Sequence, residues 1–281
     1  MILIADSGAT KTDWRIIQGA SVIDQQVTSG ISPIYQSSAQ IEEQLVKDQK
    51  NKTLPKDVEK IWFYGSGCIS LEKNNVVKTA LENAFGTNLI EVASDMLGAA
   101  RSVCGHEKGI AGILGTGSGS CLFDGVNIID QVPSLGYILG DEGSGAFMGK
   151  ILIASFLRNE LPDDLKKSFL KRFNLDKEKV LNHLNDEEYP SRFLASFGKF
   201  LMHHVSHPFI YQLIKSSFDQ FVNKYILAYE GHDKLKISFT GSIAYYFSNI
   251  LQRVLKQYNL EFGQVVESPI AGLTLYHIKM E

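Results

Sequence analysis

The chain has 281 residues, of which 44% are hydrophobic and 21% charged, values typical of a globular enzyme with one large or two modest domains. A formal net charge of −3 disfavours a surface for nucleic acid or for an anionic membrane, since such a surface needs a basic patch. The three cysteines have no CxxC spacing, which favours neither a disulfide framework nor a zinc site. Only five apolar residues precede Asp6 and no window has the length of a membrane span, so we expect a cytoplasmic protein.

The chain is predicted to begin with two strands joined by a turn. Apolar residues end at Asp6 and resume at Trp14, a residue that we expect in the core. The turn carries the hydroxyl, glycine and lysine residues Ser7, Gly8, Thr10, Lys11 and Thr12. Glycine in such a turn lets N–H groups and hydroxyls converge on an anion, because no Cβ blocks the approach. We therefore expect a phosphate-binding turn, with Asp6 at an exposed strand end.

Strands and helices alternate after this hairpin, which indicates a mixed sheet with crossover connections. The elements are predicted as a strand (22–27), a loop (29–33), a helix (38–50), a strand (60–64), a helix (76–85), a strand (89–93) and a helix ending at Cys104. Ser94 and Asp95 precede this last helix, and both are good N-cap residues.

The stretch from Ile110 to Gly125 repeats the strand–turn–strand pattern. Its turn alternates three glycines with hydroxyl residues, namely Gly115, Thr116, Gly117, Ser118, Gly119 and Ser120. In a dinucleotide fingerprint or a P-loop a helix follows the glycines directly. Here an apolar strand resumes and ends in Asp124-Gly125, a hairpin-turn dipeptide, so the pattern favours neither motif. Two such hairpins indicate a duplicated domain, whose turns could face each other across one nucleotide.

The rest of the chain is predicted to be largely helical. Its elements are a strand (128–132), a glycine-rich loop (133–145), a helix (147–158), a helical region (161–230), a strand (236–239), a helix from Gly241-Ser242 to Gln257 and an apolar final segment (269–278). Ser144 is a good N-cap for the helix at 147–158. Breaks in the helical region are expected near Pro162, Pro190 and Pro208.

Four ordered segments of the chain together resemble one family. They are DSGATKTDW (6–14), VASDMLGAAR (92–101), GTGSGS (115–120) and LGYILGDEGSGAFMG (135–149). The set is similar to the BadF/BadG/BcrA/BcrD-type ATPases and the N-acetylglucosamine kinases, within the actin–hexokinase–Hsp70 ATPase superfamily. This resemblance implies an α/β fold of two ribonuclease-H-like domains, with ATP and a sugar in the cleft between them. Their expected extents are 1–105, on which a final helix (268–281) packs back, and 106–267, which includes a helical insertion.

The resemblance implies that both glycine turns contact the phosphates of Mg-ATP. The nucleotide-binding residues are then Ser7, Gly8, Thr10, Lys11 and Thr12 of the first turn, Gly115, Thr116, Gly117 and Ser118 of the second, and Gly241 and Ser242 of an adenosine motif. Asp6 is expected to bind Mg²⁺ through water, and its alternative is a turn aspartate that accepts backbone N–H bonds. Lys11 could equally be a solvated surface lysine, and Gly241-Ser242 an ordinary helix cap. A branched side chain at Gly117 would block phosphate and could demand a forbidden φ.

In the sugar kinases of this family an aspartate takes the proton from the sugar hydroxyl, and Asp95 matches it. The substrate-binding residues implied are Ser32, Asp95, Thr116, Gly136, Asp141 and Glu142. Acids just before a helix are also partners of the helix dipole, which is the alternative for Asp141 and Glu142. The chain departs from the family at Ser32, where the amino-sugar kinases usually have Asn. Serine lacks the paired donor and acceptor of the amide, so the sugar is held differently or is a different sugar.

The function expected is an ATP-dependent sugar kinase that transfers the γ-phosphate to a hydroxyl, the C6 one, of N-acetylglucosamine or a related amino sugar. We expect ATP and Mg²⁺ as cofactors and a homodimer, with neither a nucleic-acid nor a membrane partner. The alternative is an ATP-hydrolysing activase of the 2-hydroxyacyl-CoA dehydratase or benzoyl-CoA reductase type, which holds an iron–sulfur cluster between two subunits. Nothing fixes a ligand pair among the cysteines Cys68, Cys104 and Cys121.

Two further interpretations are disfavoured. A sugar or nucleotide sensor of this family usually carries a DNA-binding helix-turn-helix, for which the start of the chain leaves no room. His203, His204 and His207 have the spacing of a helical metal site. However, no acid or cysteine follows at useful spacing, and Pro208 breaks the helix beside His207.

Overall fold

The structure is a computed structural model that describes residues 1–8, 11–185 and 189–278. The chain divides into two compact units. Unit 1 takes residues 1–107, 125–128 and the segment from Ser268 onward, and unit 2 takes residues 108–124 and 129–267. Each unit contains a five-stranded mixed sheet covered by helices, so the α/β expectation is confirmed.

Unit 1 is built on a sheet of strand order β3-β2-β1-β4-β5. Its strands are β1 (Ile2–Ser7), β2 (Lys11–Gln18), β3 (Ser21–Ser29), β4 (Lys60–Gly65) and β5 (Leu89–Ser94). Its helices are α1 (Ser38–Lys50), α2 (Leu71–Phe85), α3 (Asp95–Cys104) and α13 (Ile270–Ile278). Strands β1, β4 and β5 run parallel, whereas β2 pairs antiparallel with both β1 and β3. The parallel strands therefore end at one edge of the sheet.

Alternation along β1 divides the core of unit 1 between two faces. Leu3 and Ala5 pack with α1 and α2, whereas Ile4 between them packs with Ile270 of α13. Successive side chains of a strand point to opposite faces, so an apolar strand of this kind must be covered on both sides. Trp14 is fully buried as predicted, and its indole N–H donates to the Thr28 hydroxyl at 2.9 Å.

Unit 2 repeats this arrangement with the order β10-β9-β6-β7-β8. Its strands are β6 (Gly109–Leu114), β7 (Ser118–Phe123), β8 (Ile128–Asp130), β9 (Lys236–Thr240) and β10 (Glu261–Val266). Read from β8, this order matches that of unit 1 read from β3. In both units the first strand pairs antiparallel with the second, and two further strands run parallel to the first. The predicted duplication is therefore visible in the topology of the two sheets.

The helices of unit 2 lie mostly between β8 and β9. They are α4 (Gly136–Leu139), α5 (Gly145–Leu157), α6 (Asp163–Phe173), α7 (Lys177–Asn185), α8 (Pro190–Ala195), α9 (Gly198–His203) and α10 (Pro208–Phe221), followed by a π-helical turn (Val222–Ile226), a 3₁₀ turn (His232–Lys234), α11 (Ser242–Tyr246) and α12 (Ser248–Gln257). Ser144 caps α5 as predicted, its hydroxyl accepting from the Phe147 amide. Three expected breaks coincide with helix starts at Asp163, Pro190 and Pro208.

The structure corrects three of the predicted elements and adds one strand. Helix α2 starts at Leu71 rather than residue 76, because Ser70 caps it, and the three residues that follow Leu71 are polar. The predicted loop at 133–145 contains α4, and the predicted helix to Gln257 is interrupted at Phe247. Strand β10 was not predicted, since Gly263 interrupts its apolar pattern where the chain passes close to Ser238. Within the residues described, no helix combines the length and apolar character needed to cross a membrane.

Candidate active site

Two aspartates of unit 1 lie at the carboxyl edge of its parallel strands. Asp6 is the penultimate residue of β1, and Asp95 directly follows β5. Strand β4 lies between them, with Gly65 paired to Ser7 on one side and to Ser94 on the other. Two strand spacings separate their backbones by about 10 Å. The fold thus brings together two acids that are 89 positions apart in the chain.

Asp6 is partly buried, so the expectation of an exposed strand end is wrong. Burial raises the pKa of its carboxyl to about 7, and the negative charges of Asp95 and Asp13 add to the effect, while Lys11 opposes it. An acid in such surroundings favours a proton or a cation. The carboxylate oxygens suit a hard cation such as Mg²⁺, which binds through oxygen ligands.

Ser94, not Asp95, caps helix α3. The Ser94 hydroxyl accepts the Leu97 amide at 3.2 Å, and Asp95 occupies the first helical position. Burial raises the pKa of Asp95, although its own amide and that of Met96 partly oppose this. The N-cap of α3 is therefore Ser94, and the helix-cap alternative for Asp95 is wrong.

The hydroxyls of the first turn are used within unit 1. The Ser7 hydroxyl lies 2.7 Å from that of Thr12 and accepts the Ile31 amide at 3.1 Å. Thr12 in turn donates to the Ser29 carbonyl at 3.2 Å. Both side chains are buried, so they attach the loop that follows β3 to the turn. The Gly8 amide is also used within the turn, since it donates to the Lys11 carbonyl at 3.0 Å.

The remaining first-turn residues have different surroundings. Lys11 is exposed and pairs with Asp13 at 2.8 Å, which agrees with the alternative of a solvated surface lysine. Thr10 lies outside the residues that the structure describes. Ser32 is buried in the loop tied to Ser7, its amide donating to the Gln36 side chain at 2.9 Å and its hydroxyl to the Ser66 carbonyl at 3.4 Å.

The glycine turn of unit 2 lies between β6 and β7, which pair up to Leu114 and Ser118. Its backbone is fixed from one side by the start of α5. The Gly145 amide donates to the Gly115 carbonyl at 2.8 Å, and the Ala146 amide donates to the Thr116 carbonyl at 3.0 Å. The Thr116 side chain is exposed. Gly117 does not adopt the left-handed conformation, so the expectation of a forbidden φ there is wrong.

Asp141 lies against this turn. Its carboxylate accepts the Ser118 amide at 3.3 Å, and a Cβ added at Gly117 would lie 3.0 Å from its Oδ2 atom. Asp141 is buried, with a φ of 58°, a conformation that asparagine and aspartate tolerate better than most residues. Burial raises the pKa of its carboxyl, opposed by the Ser118 amide and by Lys150.

Glu142, by contrast, is paired within the protein. Its carboxylate contacts the Lys224 ammonium group and accepts the Tyr225 hydroxyl at 3.4 Å. Burial alone would raise the pKa of Glu142, but these contacts lower it below its usual range. No sequence pattern announced Lys224 and Tyr225, which lie more than 80 positions from Glu142.

The adenosine-motif residues Gly241 and Ser242 begin the short helix α11. Gly241 has a φ of 107°, and a Cβ there would lie 2.4 Å from the Leu114 carbonyl oxygen. Only glycine lets the chain pass this close to the end of β6. The Ser242 side chain is exposed, and so is Gly136 at the start of α4, with a φ of 70°.

The histidines have ordinary partners. His203 lies 2.9 Å from an Arg172 nitrogen, His204 lies 3.0 Å from the Ser168 hydroxyl, and His207 accepts the Phe209 amide at the start of α10. Within the described ranges no group of three His, Cys, Asp or Glu side chains could hold a metal ion. Cys68 and Cys121 are buried, Cys104 is partly buried, and none of these three cysteines forms a disulfide.

The comparisons with known proteins agree with this architecture. The chain is 40% identical to the solved structure of a protein from Porphyromonas gingivalis described provisionally as an N-acetylglucosamine kinase, with 99% of each chain covered and a TM-score of 0.94. A protein from Chromobacterium violaceum with the same provisional description is 17% identical over 98% of each chain, with a TM-score of 0.75. A ROK-family glucokinase from Streptomyces griseus, solved with glucose and AMPPNP, shares the fold at 13% identity and a TM-score of 0.56.

No protein-family model matches the chain, and neither does any curated protein. Identity of 40% over the full length is nevertheless enough to show the family. The fold is that of the actin-like ATPases, with two such domains in one chain. The chain belongs to the N-acetylglucosamine kinase-like family of the actin–hexokinase–Hsp70 ATPase superfamily.

Proposed function

We propose that the protein is an ATP-dependent sugar kinase that phosphorylates an amino sugar, with N-acetylglucosamine as the leading substrate and its C6 hydroxyl as the acceptor. The observation that carries the proposal is the position of Asp95. Its carboxyl group lies at the carboxyl edge of the unit 1 sheet, and Ser94 relieves it of the capping role. The family of the chain, shown by its likeness to the Porphyromonas gingivalis protein, supports the same reaction class.

Asp95 acts as the base in this proposal. It orients the sugar hydroxyl and accepts its proton, while the hydroxyl oxygen bonds to the γ-phosphorus and the bond from that phosphorus to ADP breaks. Phosphoryl transfer depends mainly on positioning and on neutralising charge, so one well-placed base is sufficient. The raised pKa of Asp95 makes its carboxylate a better proton acceptor than an exposed aspartate.

Asp6 would hold Mg²⁺ through water. It supplies hard oxygen donors, and the nearby charges of Asp95 and Asp13 would be offset by a divalent cation. When bound, the ion neutralises charge on the phosphates. The Gly115 and Ser118 amides already donate to the Gly117 carbonyl and to Asp141, so the backbone N–H groups of Thr116 and Gly117 in the unit 2 turn are proposed to bind the phosphates. Gly241-Ser242 is proposed to border the nucleoside.

Asp141 is proposed to accept hydrogen bonds from sugar hydroxyls. Its φ of 58° and its bond to the Ser118 amide hold the carboxylate in one orientation, so little entropy is lost when a hydroxyl binds. Ser32, in the loop that follows β3 of unit 1, is proposed as a further contact of the sugar. Its hydroxyl already donates to the Ser66 carbonyl. Serine is shorter than asparagine, and its hydroxyl has already made one hydrogen bond. It therefore specifies the acyl group of the sugar less tightly than an asparagine would.

The test is ADP release with Mg-ATP across glucose, glucosamine, N-acetylglucosamine and N-acetylmannosamine, with ³¹P NMR of the product to identify the phosphorylated hydroxyl. We expect turnover that depends on the sugar, is fastest with an N-acetylated amino sugar and gives a 6-phosphate. Protein purified anaerobically is expected to be colourless. Sugar-independent ATP hydrolysis in a brown protein that absorbs near 400 nm would instead support the activase.

A further inference from the structure

The segment Asp141–Gly145 of unit 2 also contacts helix α10. The Gly143 amide donates to the Ser217 hydroxyl of α10 at 3.2 Å. Gly143 has a φ of 82°, and a Cβ there would lie 2.9 Å from that of Phe221. The segment therefore rests directly on the end of α10, and any displacement of that end would be transmitted to Asp141.

The anchor at this end of α10 is an ion pair that involves Glu142. The Glu142 side chain is only 4% exposed, and its carboxylate is bound by Lys224 and Tyr225 together. A carboxylate this buried is costly unless it is paired and hydrogen-bonded. With both partners present Glu142 keeps its negative charge. Each of its two carboxylate oxygens makes one of these contacts.

Lys224 and Tyr225, which contact the same carboxylate, both lie in the π-helical turn that follows α10. The Leu227 amide donates to the Val222 carbonyl at 3.0 Å, five positions earlier, instead of to the residue four positions earlier. Turns of this kind are rare and occur frequently at functional sites. Tyr225 is fixed by stacking on Phe221, with ring centroids 4.9 Å apart.

We propose that Lys224 and Tyr225 are positioning residues, which hold Glu142 so that its neighbour Asp141 is fixed against the glycine turn. Glu142 is then a positioning residue as well, in place of the sugar ligand that the sequence predicted. The kinetic part of this inference rests on the proposed kinase function. The structural part does not, because it concerns only the order of the segment that carries Asp141.

Four single variants and one double variant test the inference. Lys224→Met and Glu142→Gln each remove the charge pair with little change in size, and Lys224→Arg restores a cation. Lys215→Met is the matched control, since it removes the Lys215–Asp219 ion pair, with atoms 2.6 Å apart, from the same helix without touching Glu142. Each variant is measured by hydrogen–deuterium exchange over residues 136–147 and by the KM for sugar and kcat.

We expect Lys224→Met and Glu142→Gln to exchange faster over residues 136–147, with Lys224→Arg close to the parent and Lys215→Met unchanged in this segment. In an active kinase, kcat/KM for sugar falls about 10- to 100-fold in the first two variants, the size expected when a reacting group is misplaced. Their double variant is expected to be no worse than either alone, because both remove the same contact.

Unchanged exchange over residues 136–147 in Lys224→Met would overturn the inference, whatever the enzyme's activity. The inference would also be overturned if Glu142→Gln lost sugar affinity and Lys224→Met did not, since that result would identify Glu142 as a direct ligand of the sugar. A parent protein inactive with every sugar would refute the proposed function, while the exchange measurement would still decide the positioning role.

Discussion

The Tyr64 hydroxyl lies 2.7 Å from Nε2 of His277, so the last described turn of α13 is hydrogen-bonded to the central strands of unit 1. Arg101 donates to the same tyrosine oxygen at 2.6 Å, which leaves the tyrosine proton for the histidine. His277 is buried and stacks on Trp62, with ring centroids 3.9 Å apart. The contact therefore requires a neutral imidazole that accepts a hydrogen bond.

This contact predicts a loss of stability in acid. Burial, followed by the positive charges of Arg101, Lys60 and His106, lowers the pKa of His277 from its ordinary value of 6.5 to about 3. Because only the unfolded chain binds this proton readily below pH 6.5, stability is full above that pH and is lost as the pH falls towards 3. We expect the parent to lose about 2 kcal/mol more than His277→Gln between about pH 7.5 and pH 5, measured by urea unfolding. An equal loss in both proteins would contradict the assignment.

Asp6→Asn is expected to impair activity at limiting Mg²⁺ without lowering stability. Since the raised pKa shows that the ionised carboxyl is disfavoured in the folded protein, the amide should leave the melting temperature near pH 8 unchanged or higher. Turnover should require much more Mg²⁺, about 10-fold or more, because one charged ligand contact is worth about 1.5–3 kcal/mol. The measurement is ADP release against Mg²⁺ concentration. Full activity at limiting Mg²⁺ would show that Asp6 does not serve the metal.

Gly117→Val is expected to abolish nucleotide binding, because the valine side chain would occupy the space proposed for the phosphate. Its Cβ would lie 3.0 Å from the Asp141 carboxylate, and the branched methyl groups would occupy the face on which the phosphate is proposed to bind. Calorimetric titration with ADP measures the loss, and circular dichroism confirms that the fold is retained. Gly115→Ala is the comparison within the same turn, because a Cβ there meets no atom within 4 Å. Parent-like ADP affinity in Gly117→Val would remove this turn from the nucleotide site.

Local patterns predicted most of the fold but few of its long-range contacts. Both hairpins, the Ser144 cap and the core position of Trp14 followed from alternation, turn residues and capping preferences. Strand β10 was missed because its pattern is broken at Gly263, although the duplication itself calls for a fifth strand equivalent to β5. Sequence reasoning had no means to pair Tyr64 with His277, because 213 positions separate them and neither lies in a motif.

For the candidate site too, the sequence predicted local features but not long-range contacts. The sequence placed Asp95 and both turns at strand ends, and Asp141 in a loop before a helix, where the structure has them. It could not choose between Ser94 and Asp95 as the cap, because both side chains suit that position and only the backbone decides. Nor could it show that Ser7 and Thr12 bond to each other and to the loop after β3.

The role of Asp95 is the central claim, and Asp95→Asn tests it with Ser94→Ala as the control. Since Ser94 caps α3, Ser94→Ala should lose about 1 kcal/mol of stability and keep its turnover. Asp95→Asn should keep its melting temperature and its affinity for ATP and sugar, because the amide is nearly isosteric with the carboxyl group.

The deciding measurement is kcat of Asp95→Asn at saturating sugar and Mg-ATP. The account predicts a fall of roughly 10²- to 10⁴-fold, the usual contribution of a general base. That range corresponds to about 3–5 kcal/mol of barrier, which no change in helix capping could produce. A kcat within about fivefold of the parent, far short of the loss expected of a base, would contradict the account.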